Sequence, residues 1–328
     1  MTLKEIEEGI IIDPTKIEKI KKLDSIVFDC DGVLIDVSNS YDLTIKKTVD
    51  FIIKEMAQVN ESDLVTTKLI EGFKASGGFN DEIDVTYALI LAVVAAKKRN
   101  EPFSKFIIKV IENADQTGIK SVEKYLNALK VDISDIREKL AYPGKKFQNL
   151  LSSIFDEIFY GSELYLQLYK KKPQFFDGLG LIENDIVLLN RDLVRKLHDK
   201  FDKKIAIVTG RGNLSAKYSL KDLFNEFDLS NSKFLEDEPR EMAKPNPHSL
   251  ISTIKGMNGN NSLYVGDSME DYIMARKADE SGISTIFCGV YGTSKDPEAK
   301  KSLFENNNAD IIVKSIDLIP KTLNLVEA

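Results

Sequence analysis

Ser-Ile-Val-Phe-Asp-Cys-Asp-Gly-Val-Leu, residues 25–34, is an apolar run that ends in two carboxylates two residues apart, followed by glycine. The run predicts a buried strand from Ser25 to Phe28. Gly32 indicates that the chain turns there, which gathers both acids at the carboxyl end of the strand. Ligands of open α/β sheets bind at that end. Because close carboxylates repel each other, the pair indicates a site for a cation or for a shared proton.

Three more polar segments follow further along the chain. Thr-Gly-Arg-Gly at 209–212 has a hydroxyl, glycine N–H groups and an arginine, which suit a phosphate cradle. Ala-Lys-Pro-Asn-Pro at 243–247 carries a lysine on a stem stiffened by prolines. Gly-Asp-Ser-Met-Glu-Asp at 266–271 places two acids four residues apart on an opening helical turn. Each segment alone also fits a plain turn, a solvated lysine or a helix N-cap.

Together the four segments fit one chemistry. An aspartate can attack phosphorus only if the negative charge of the phosphate is offset. Carboxylate oxygens are suitable ligands for magnesium, and a lysine with nearby hydrogen-bond donors would supply the remaining charge neutralisation.

In this order, the segments are similar to the four motifs of the haloacid dehalogenase (HAD) superfamily. The resemblance covers residues 24–37 and 180–328. It implies that Asp29 is the nucleophile and becomes an aspartyl-phosphate. It also implies that Asp31 is the general acid for the leaving alcohol, then the base for water, and gives the metal its backbone carbonyl.

The same resemblance assigns the remaining roles. It implies a phosphate-binding set consisting of Thr209, Gly210, Arg211 and Lys244. It implies a Mg²⁺ cofactor, held by Asp29, Asp31, Asp267 and Asp271, the last of them through water.

The pattern of apolar runs predicts an α/β fold with a doubly wound parallel sheet (Rossmann-like). After Gly180, short β-rich runs at 205–209, 233–236, 263–266, 284–288 and 310–313 are separated by helical stretches at 184–200, 214–226, 247–256 and 269–278. Between Ser38 and Lys172 the sequence favours helices alone. The clearest has apolar residues from Phe147 to Phe159, with Gly161 just past its end.

The long interval between the first two motifs locates an inserted all-helical domain, similar to the helical-cap class of the superfamily. We predict a catalytic core of residues 1–37 and 178–328 and a cap of residues 38–177. Residues 1–23 are predicted to be a helical extension, with Asp13 as N-cap and Pro14 at the first helical position.

Substrate contacts in the cap are expected at the glycine-rich break between helices at residues 73–81. Lys74 and Asn80 are the candidate residues there. The alternative is an ordinary helix–helix connection.

Composition excludes several classes of function. A net charge of −7 over 328 residues argues against a general nucleic-acid or anionic-membrane binder. The longest apolar run, Tyr87–Ala96, is too short to cross a bilayer, and the first residues lack a signal-peptide apolar region. The chain has only two cysteines and two histidines, which argues against a disulfide framework, a zinc site and a histidine triad. A cytoplasmic protein acting on a small phosphorylated metabolite is the expectation.

Asp31 argues against two branches of the superfamily. Carbon–halogen hydrolysis needs no acid for an alkoxide, and transport ATPases resemble this pattern with threonine in that place. A magnesium-dependent phosphatase of a phosphate monoester is the favoured interpretation. A sugar phosphomutase of the same fold and a non-catalytic binding or regulatory protein remain as alternatives. Phosphoglycolate, sugar phosphates, nucleotides and amino-alcohol phosphates are all open as substrates.

Overall fold

The computed structural model describes residues 3–79, 81–144 and 148–327. The chain divides into two compact units, Met1–Ser38 with Asp185–Ala328 and Asn39–Asn184. We call them the α/β unit and the helical unit. The predicted return point at residue 178 precedes this division, because Leu181 and Ile182 are buried in the core of the helical unit.

The sheet of the α/β unit brings together strands that are distant in sequence. The strands are β1 (Lys4–Glu7), β2 (Ile10–Ile12), β3 (Ser25–Phe28), β4 (Ile35–Asp36), β5 (Ile186–Val187), β6 (Ile205–Thr209), β7 (Lys233–Phe234), β8 (Ser262–Gly266), β9 (Thr285–Val290) and β10 (Ile311–Val313). Eight of them form one sheet in the order β1-β2-β10-β9-β8-β3-β6-β7, and β4 pairs with β5 separately.

The predicted parallel sheet is confirmed from β10 to β7, where every pair of neighbours runs parallel. In the register of the three central strands, Phe28 pairs with Val265 on one side and with Ile207 on the other. The carboxyl ends of these three strands therefore lie at one common edge of the sheet.

The helices are α1 (Ile17–Ile20), α2 (Ser38–Ala57), α3 (Thr67–Ala75), α4 (Glu82–Arg99), α5 (Phe103–Glu112), α6 (Ile119–Ala128), α7 (Ser134–Leu140), α8 (Leu150–Tyr169), α9 (Arg191–Phe201), α10 (Asn213–Leu220), α11 (His248–Gly256), α12 (Met269–Glu280), α13 (Pro297–Asn306) and α14 (Ile319–Glu327). The predicted helix at 184–200 begins later, at Arg191. Asn190 caps it by accepting from the Leu193 N–H at 2.9 Å, and Ile186–Val187 pairs as strand β5 instead.

The prediction of a helical extension at residues 1–23 is wrong for most of its length. Lys4–Glu7 and Ile10–Ile12 form a β-hairpin that adds to strand β10. Three successive β-branched isoleucines favour a strand, and pairing with β10 satisfies their backbone groups. Asp13 does accept from the Thr15 N–H at 2.9 Å, but the helix that it caps is a single 3-10 turn.

The described part of the helical unit contains helices α2 to α8 and no strand. Its core includes a run in α4 that is buried from Val85 to Ala96. Gly161 interrupts α8 with a non-helical φ of +71°, at the predicted end of the apolar helix, and a second helical segment follows to Tyr169. A Cβ at Gly161 would lie 2.2 Å from the Gly180 nitrogen, so this close approach requires glycine. Phe147 lies outside the described residues.

Among the described residues, no helix has both the length and the apolar character needed to cross a bilayer.

Candidate active site

Strand β3 carries Asp29 to the middle of the sheet edge. All four strand residues are buried between β6 and β8, which fixes the direction in which the chain leaves the sheet. The Asp29 N–H still donates to the Val265 carbonyl at 2.8 Å. Asp29 itself is 7% exposed. Its carboxylate is therefore held at a defined and largely dry position.

Gly32 makes the turn that follows. Its φ is +76°, a region that glycine adopts without strain. Its N–H donates to the Ile35 carbonyl at 2.7 Å, and its own carbonyl accepts from the Thr293 hydroxyl at 2.7 Å. A Cβ at this position would lie 2.4 Å from an oxygen of Asp267. The glycine therefore lets the Asp267 carboxylate approach the first motif.

Gly32→Ala is expected to lower the free energy of unfolding by about 2–3 kcal/mol and to weaken binding of a divalent cation at least about tenfold. The added methyl group displaces Asp267 as well as straining the turn. Gly282→Ala is the matched control, because φ is +86° there and nothing lies within 4 Å of the added Cβ. Urea unfolding and calorimetric Mg²⁺ titration of both variants measure the difference. Equal losses in the two variants would refute a specific role of Gly32 beside Asp267.

Lys244 bridges two acids of the site. Its Nζ lies 2.8 Å from Asp29 Oδ1 and 2.7 Å from Asp271 Oδ1. Burial alone would lower the pKa of Lys244, but the carboxylates of Asp271 and Asp29 raise it above its ordinary value. The lysine therefore stays charged and offers positive charge beside the first carboxylate of the site.

Asp271 is already saturated with donors. Besides Lys244, the Tyr264 hydroxyl donates to its Oδ1 at 2.8 Å. Its Oδ2 accepts from the N–H groups of Asp267 and Ser268 and from the Ser268 hydroxyl, at 3.2, 3.1 and 2.7 Å. Although burial opposes ionisation, Lys244 and these hydrogen bonds hold the pKa of Asp271 below its ordinary value. These contacts indicate that Asp271 orients Lys244 and takes part in the capping box of α12. They do not indicate direct ligation of a metal.

The group of acids at this edge fits a hard divalent cation. Carboxylate oxygens of Asp29, Asp267 and Asp271 lie within 4.8 Å of one another. Burial raises the pKa of Asp29 to about 7, with Lys244 opposing and the other two acids adding to the shift. A bound cation would offset this cost, and oxygen donors are those that Mg²⁺ prefers. With Asp271 saturated, Asp29 and Asp267 are the residues that would hold it.

The turn after β6 offers fewer N–H groups for an anion than the sequence indicates. The Gly212 N–H donates to Glu236 Oε2 at 3.0 Å, and the Asn213 N–H donates to Asp237 Oδ2 at 2.7 Å. Thr209 Oγ1 accepts from the Arg211 N–H at 3.2 Å, which leaves the hydroxyl proton for another acceptor. The exposed Gly210 has nothing within 4 Å of an added Cβ. Thr209 and Gly210 therefore fit phosphate binding better than the residues beyond them.

The Arg211 side chain contacts two acids, Asp31 and Asp185. These are separate from Lys244, Asp29 and Asp271, the group that we call the Lys244 cluster. Arg211 Nε lies 2.7 Å from Asp31 Oδ1, and its Nη1 lies 2.8 Å from Asp185 Oδ2. Nη1 also donates to the Ser219 hydroxyl at 2.8 Å. The Arg211 side chain therefore lies beside Asp31 and Asp185, and its contacts do not support the expected phosphate-binding role: Nη1 donates to Asp185 and Ser219, and Nε lies against Asp31.

Several residues that contact the site are not predicted from the sequence. Asp185 and Ser219 hold Arg211, Tyr264 donates to Asp271, and Lys300 Nζ lies 2.6 Å from Asp267 Oδ2. Tyr264 stands within the apolar run before the last motif, where its hydroxyl is a polar signal in the sequence. The other three lie in stretches without a motif, and only folding brings them to the site.

The two candidate cap residues belong to the helical unit. The ammonium group of Lys74 lies 3.0 Å from Glu82 Oε1. A substrate phosphate would therefore compete with this carboxylate for the lysine. Asn80 lies outside the described residues.

A family model described as haloacid dehalogenase-like hydrolase matches residues 23–279. The phosphatase Tt82 from Thermococcus thioreducens has a similar fold, with a TM-score of 0.57 and 23% identity over 85% of this chain and 98% of that one. An imidazoleglycerol-phosphate dehydratase from Phytophthora nicotianae is 28% identical over 157 residues, 43% of this chain and 33% of that protein. The chain thus spans about a third of the dehydratase.

Proposed function

Since the chain belongs to the haloacid dehalogenase-like hydrolases, we propose that it is a magnesium-dependent phosphatase that cleaves a small phosphate monoester through an aspartyl-phosphate. One observation carries the proposal. At the common edge of β3 and β8, Lys244 bridges the buried carboxylates of Asp29 and Asp271, and Asp267 lies beside them. A buried nucleophilic carboxylate with an adjacent fixed cation is what attack on an anionic phosphate requires.

The proposed reaction has two steps. In the first, an Asp29 oxygen attacks phosphorus, the bond from phosphorus to the ester oxygen breaks, and Asp31 gives its proton to the leaving alcohol. In the second, Asp31 takes a proton from water as the water oxygen attacks phosphorus; the bond from phosphorus to the Asp29 oxygen breaks, which releases inorganic phosphate and restores the Asp29 carboxylate. The Asp31 side chain is 25% exposed and that of Asp29 is 9% exposed. This difference suits a proton carrier in contact with water beside a shielded nucleophile.

The groups around Asp29 have separate tasks in this proposal. Lys244, the Thr209 hydroxyl and the Gly210 N–H would bind the phosphoryl oxygens. Asp29 and Asp267 would hold Mg²⁺, with the backbone carbonyl of Asp31 as the further expected ligand. The ion would supply positive charge to the phosphoryl group. Lys300, which pairs with Asp267, would provide charge balance beside that ligand.

Substrate selection is assigned to the helical unit, with Lys74 and Asn80 as candidate contacts, and the substrate class is a small phosphorylated metabolite. We also place the protein in the cytoplasm, because Cys30 and Cys288 are both buried free thiols. Burial and the neighbouring Asp31 raise the pKa of the Cys30 thiol, which makes it unsuited to nucleophilic chemistry.

Phosphate release from a metabolite panel, with 4-nitrophenyl phosphate as the generic substrate, tests the proposal. The panel includes an imidazole-bearing phosphate, because the matched dehydratase is named for imidazoleglycerol phosphate. We expect turnover with Mg²⁺ and a loss of at least about 10²-fold with EDTA, restored by excess Mg²⁺. A turnover rate that EDTA does not lower would refute the metal requirement. Isomerisation of a sugar phosphate without phosphate release would establish the phosphomutase alternative. If no ester is turned over, the non-catalytic binding protein is the remaining interpretation.

A further inference from the structure

The carboxylate of Asp31 is held by a second group of residues, separate from the Lys244 cluster. Asp31 Oδ1 lies 2.7 Å from Arg211 Nε, and the arginine side chain is only 1% exposed. An arginine fork in such a place presents donors with a fixed direction, unlike the mobile ammonium of a lysine. The orientation of Asp31 therefore depends on whether Arg211 is itself held in place.

Two further residues hold the arginine. Its Nη1 lies 2.8 Å from Asp185 Oδ2 and donates to the Ser219 hydroxyl at 2.8 Å. That hydroxyl donates in turn to the same oxygen of Asp185 at 2.8 Å. The Asp185 side chain is 3% exposed, so this triangle is screened little by water. A guanidinium fixed by two neighbours at its far end cannot rotate without breaking these bonds.

The chain brings these residues together from four places. Asp31 follows β3, Arg211 follows β6, and Ser219 lies one and a half to two turns along α10. Asp185 precedes β5, which pairs with β4 just beyond the turn that contains Asp31. The arrangement belongs wholly to the α/β unit.

We infer that Arg211, fixed by Asp185 and Ser219, is a positioning residue that aims the Asp31 carboxyl group at the leaving oxygen; this rests on the phosphatase function proposed above. In the step concerned, the bond from phosphorus to the ester oxygen breaks as the bond to Asp29 forms. The Asp31 proton moves to the departing oxygen and leaves a carboxylate beside the guanidinium. A general acid must be within about 3 Å of that oxygen, and a misplacement of about 1 Å can cost about 10²-fold in rate.

The test uses two substrates that share the phosphate and differ in the leaving group. Nitrophenolate departs from 4-nitrophenyl phosphate with little need of a proton, whereas phenolate from phenyl phosphate is more basic. We compare kcat/KM, because it reports on the steps through departure of the leaving group. Asp31→Asn removes the general acid, and its change in the ratio of kcat/KM for the two substrates measures the largest leaving-group effect to be expected.

Arg211→Met is expected to lower kcat/KM for phenyl phosphate at least about tenfold more than for 4-nitrophenyl phosphate. Ser219→Ala should move the same ratio in the same direction by about threefold, and it provides the test if Arg211→Met does not fold. The matched control is Arg276→Met, which removes another arginine of the same unit that pairs with a buried carboxylate, Asp310. This control should change stability but leave the ratio of the two substrates as in the wild type.

Equal losses on both substrates in the folded Arg211 and Ser219 variants would overturn the inference, since they would indicate a merely structural network. A shift of the same size in Arg276→Met would overturn it as well. If the wild type turns over neither ester with Mg²⁺, or if Asp29→Asn is as active as the wild type, the proposed function fails and the inference fails with it. If wild-type turnover depends on Asp29 but the Arg211 and Ser219 variants leave the ratio of kcat/KM for the two substrates unchanged, the role of Arg211 is refuted and the proposed function stands.

Discussion

Asp29→Asn is expected to lower kcat at least about 10³-fold while the protein stays folded. An amide of nearly the same shape cannot attack phosphorus as a carboxylate does. The variant keeps the size of the side chain in its buried place between β6 and β8. Phosphate release from 4-nitrophenyl phosphate measures the loss. Asp222→Asn, whose side chain is 92% exposed, is the matched control and should retain full activity.

The same variant should be more stable than the wild type in EDTA. Burial raises the pKa of Asp29 from its ordinary value of 3.8 to about 7. Between these two pH values the folded protein binds a proton that the unfolded chain has released. The Asp29 carboxyl group therefore contributes a loss of stability as the pH rises from 4 to 7, whereas an amide at this position contributes none.

We expect Asp29→Asn to gain on the order of 2 kcal/mol in unfolding free energy at pH 8, and little at pH 4. Urea unfolding at the two pH values measures this difference. Added Mg²⁺ should reduce it, because the cation stabilises only the ionised side chain. A variant that is less stable than the wild type at pH 8, or that retains most of its activity, would contradict the role of Asp29 as a costly buried nucleophile.

Lys244→Met is expected to lower the unfolding free energy by about 3–5 kcal/mol and kcat/KM by at least about 10²-fold. The ammonium group lies within 2.8 Å of oxygens of both Asp29 and Asp271, and their side chains are at most 9% exposed. Without it, two buried carboxylates repel each other and lose their shared partner. Urea unfolding and phosphate release measure the two effects.

The control for this change is Lys255→Met, at an exposed position of α11. It should alter stability by less than about 0.5 kcal/mol. The double variant Lys244→Met with Asp29→Asn should recover part of the stability but none of the activity, because one of the two unpaired charges is gone. If Asp29→Asn changes the unfolding free energy by the same amount with and without Lys244, the lysine and the carboxylate do not interact.

The core of the site could be predicted because its residues stand in short segments next to strands. Asp29, Thr209 and Asp267 each follow an apolar run, and in a parallel sheet such residues meet at one edge. The order of the strands, β8-β3-β6, does not follow the sequence, yet the rule holds whichever strands are neighbours. The hairpin at residues 4–12 departs from the predicted helical extension because the capping residues Asp13 and Pro14 mark only where a helix begins, and the isoleucines before them form a strand.

The roles of Arg211 and Asp271 could not be predicted in the same way. A motif tells which residue stands at a strand end, but not which partner its side chain reaches. Arg211 pairs with Asp185, which lies 26 residues away, and Asp271 accepts from Tyr264, at the far side of a strand-to-helix turn. Glu236 and Asp237 occupy N–H groups that the glycines of the second motif would otherwise offer.

The sequence by itself determined the class of sheet, the all-helical insertion and the edge at which the acids gather, because strand and helix periodicity and turn residues act locally. Tertiary structure alone decided how charge is shared at that edge: Lys244 with two buried acids, and Arg211 with Asp31 and Asp185. The physical reason is that pairing energies depend on distance and burial, which arise only when segments far apart in the chain pack together.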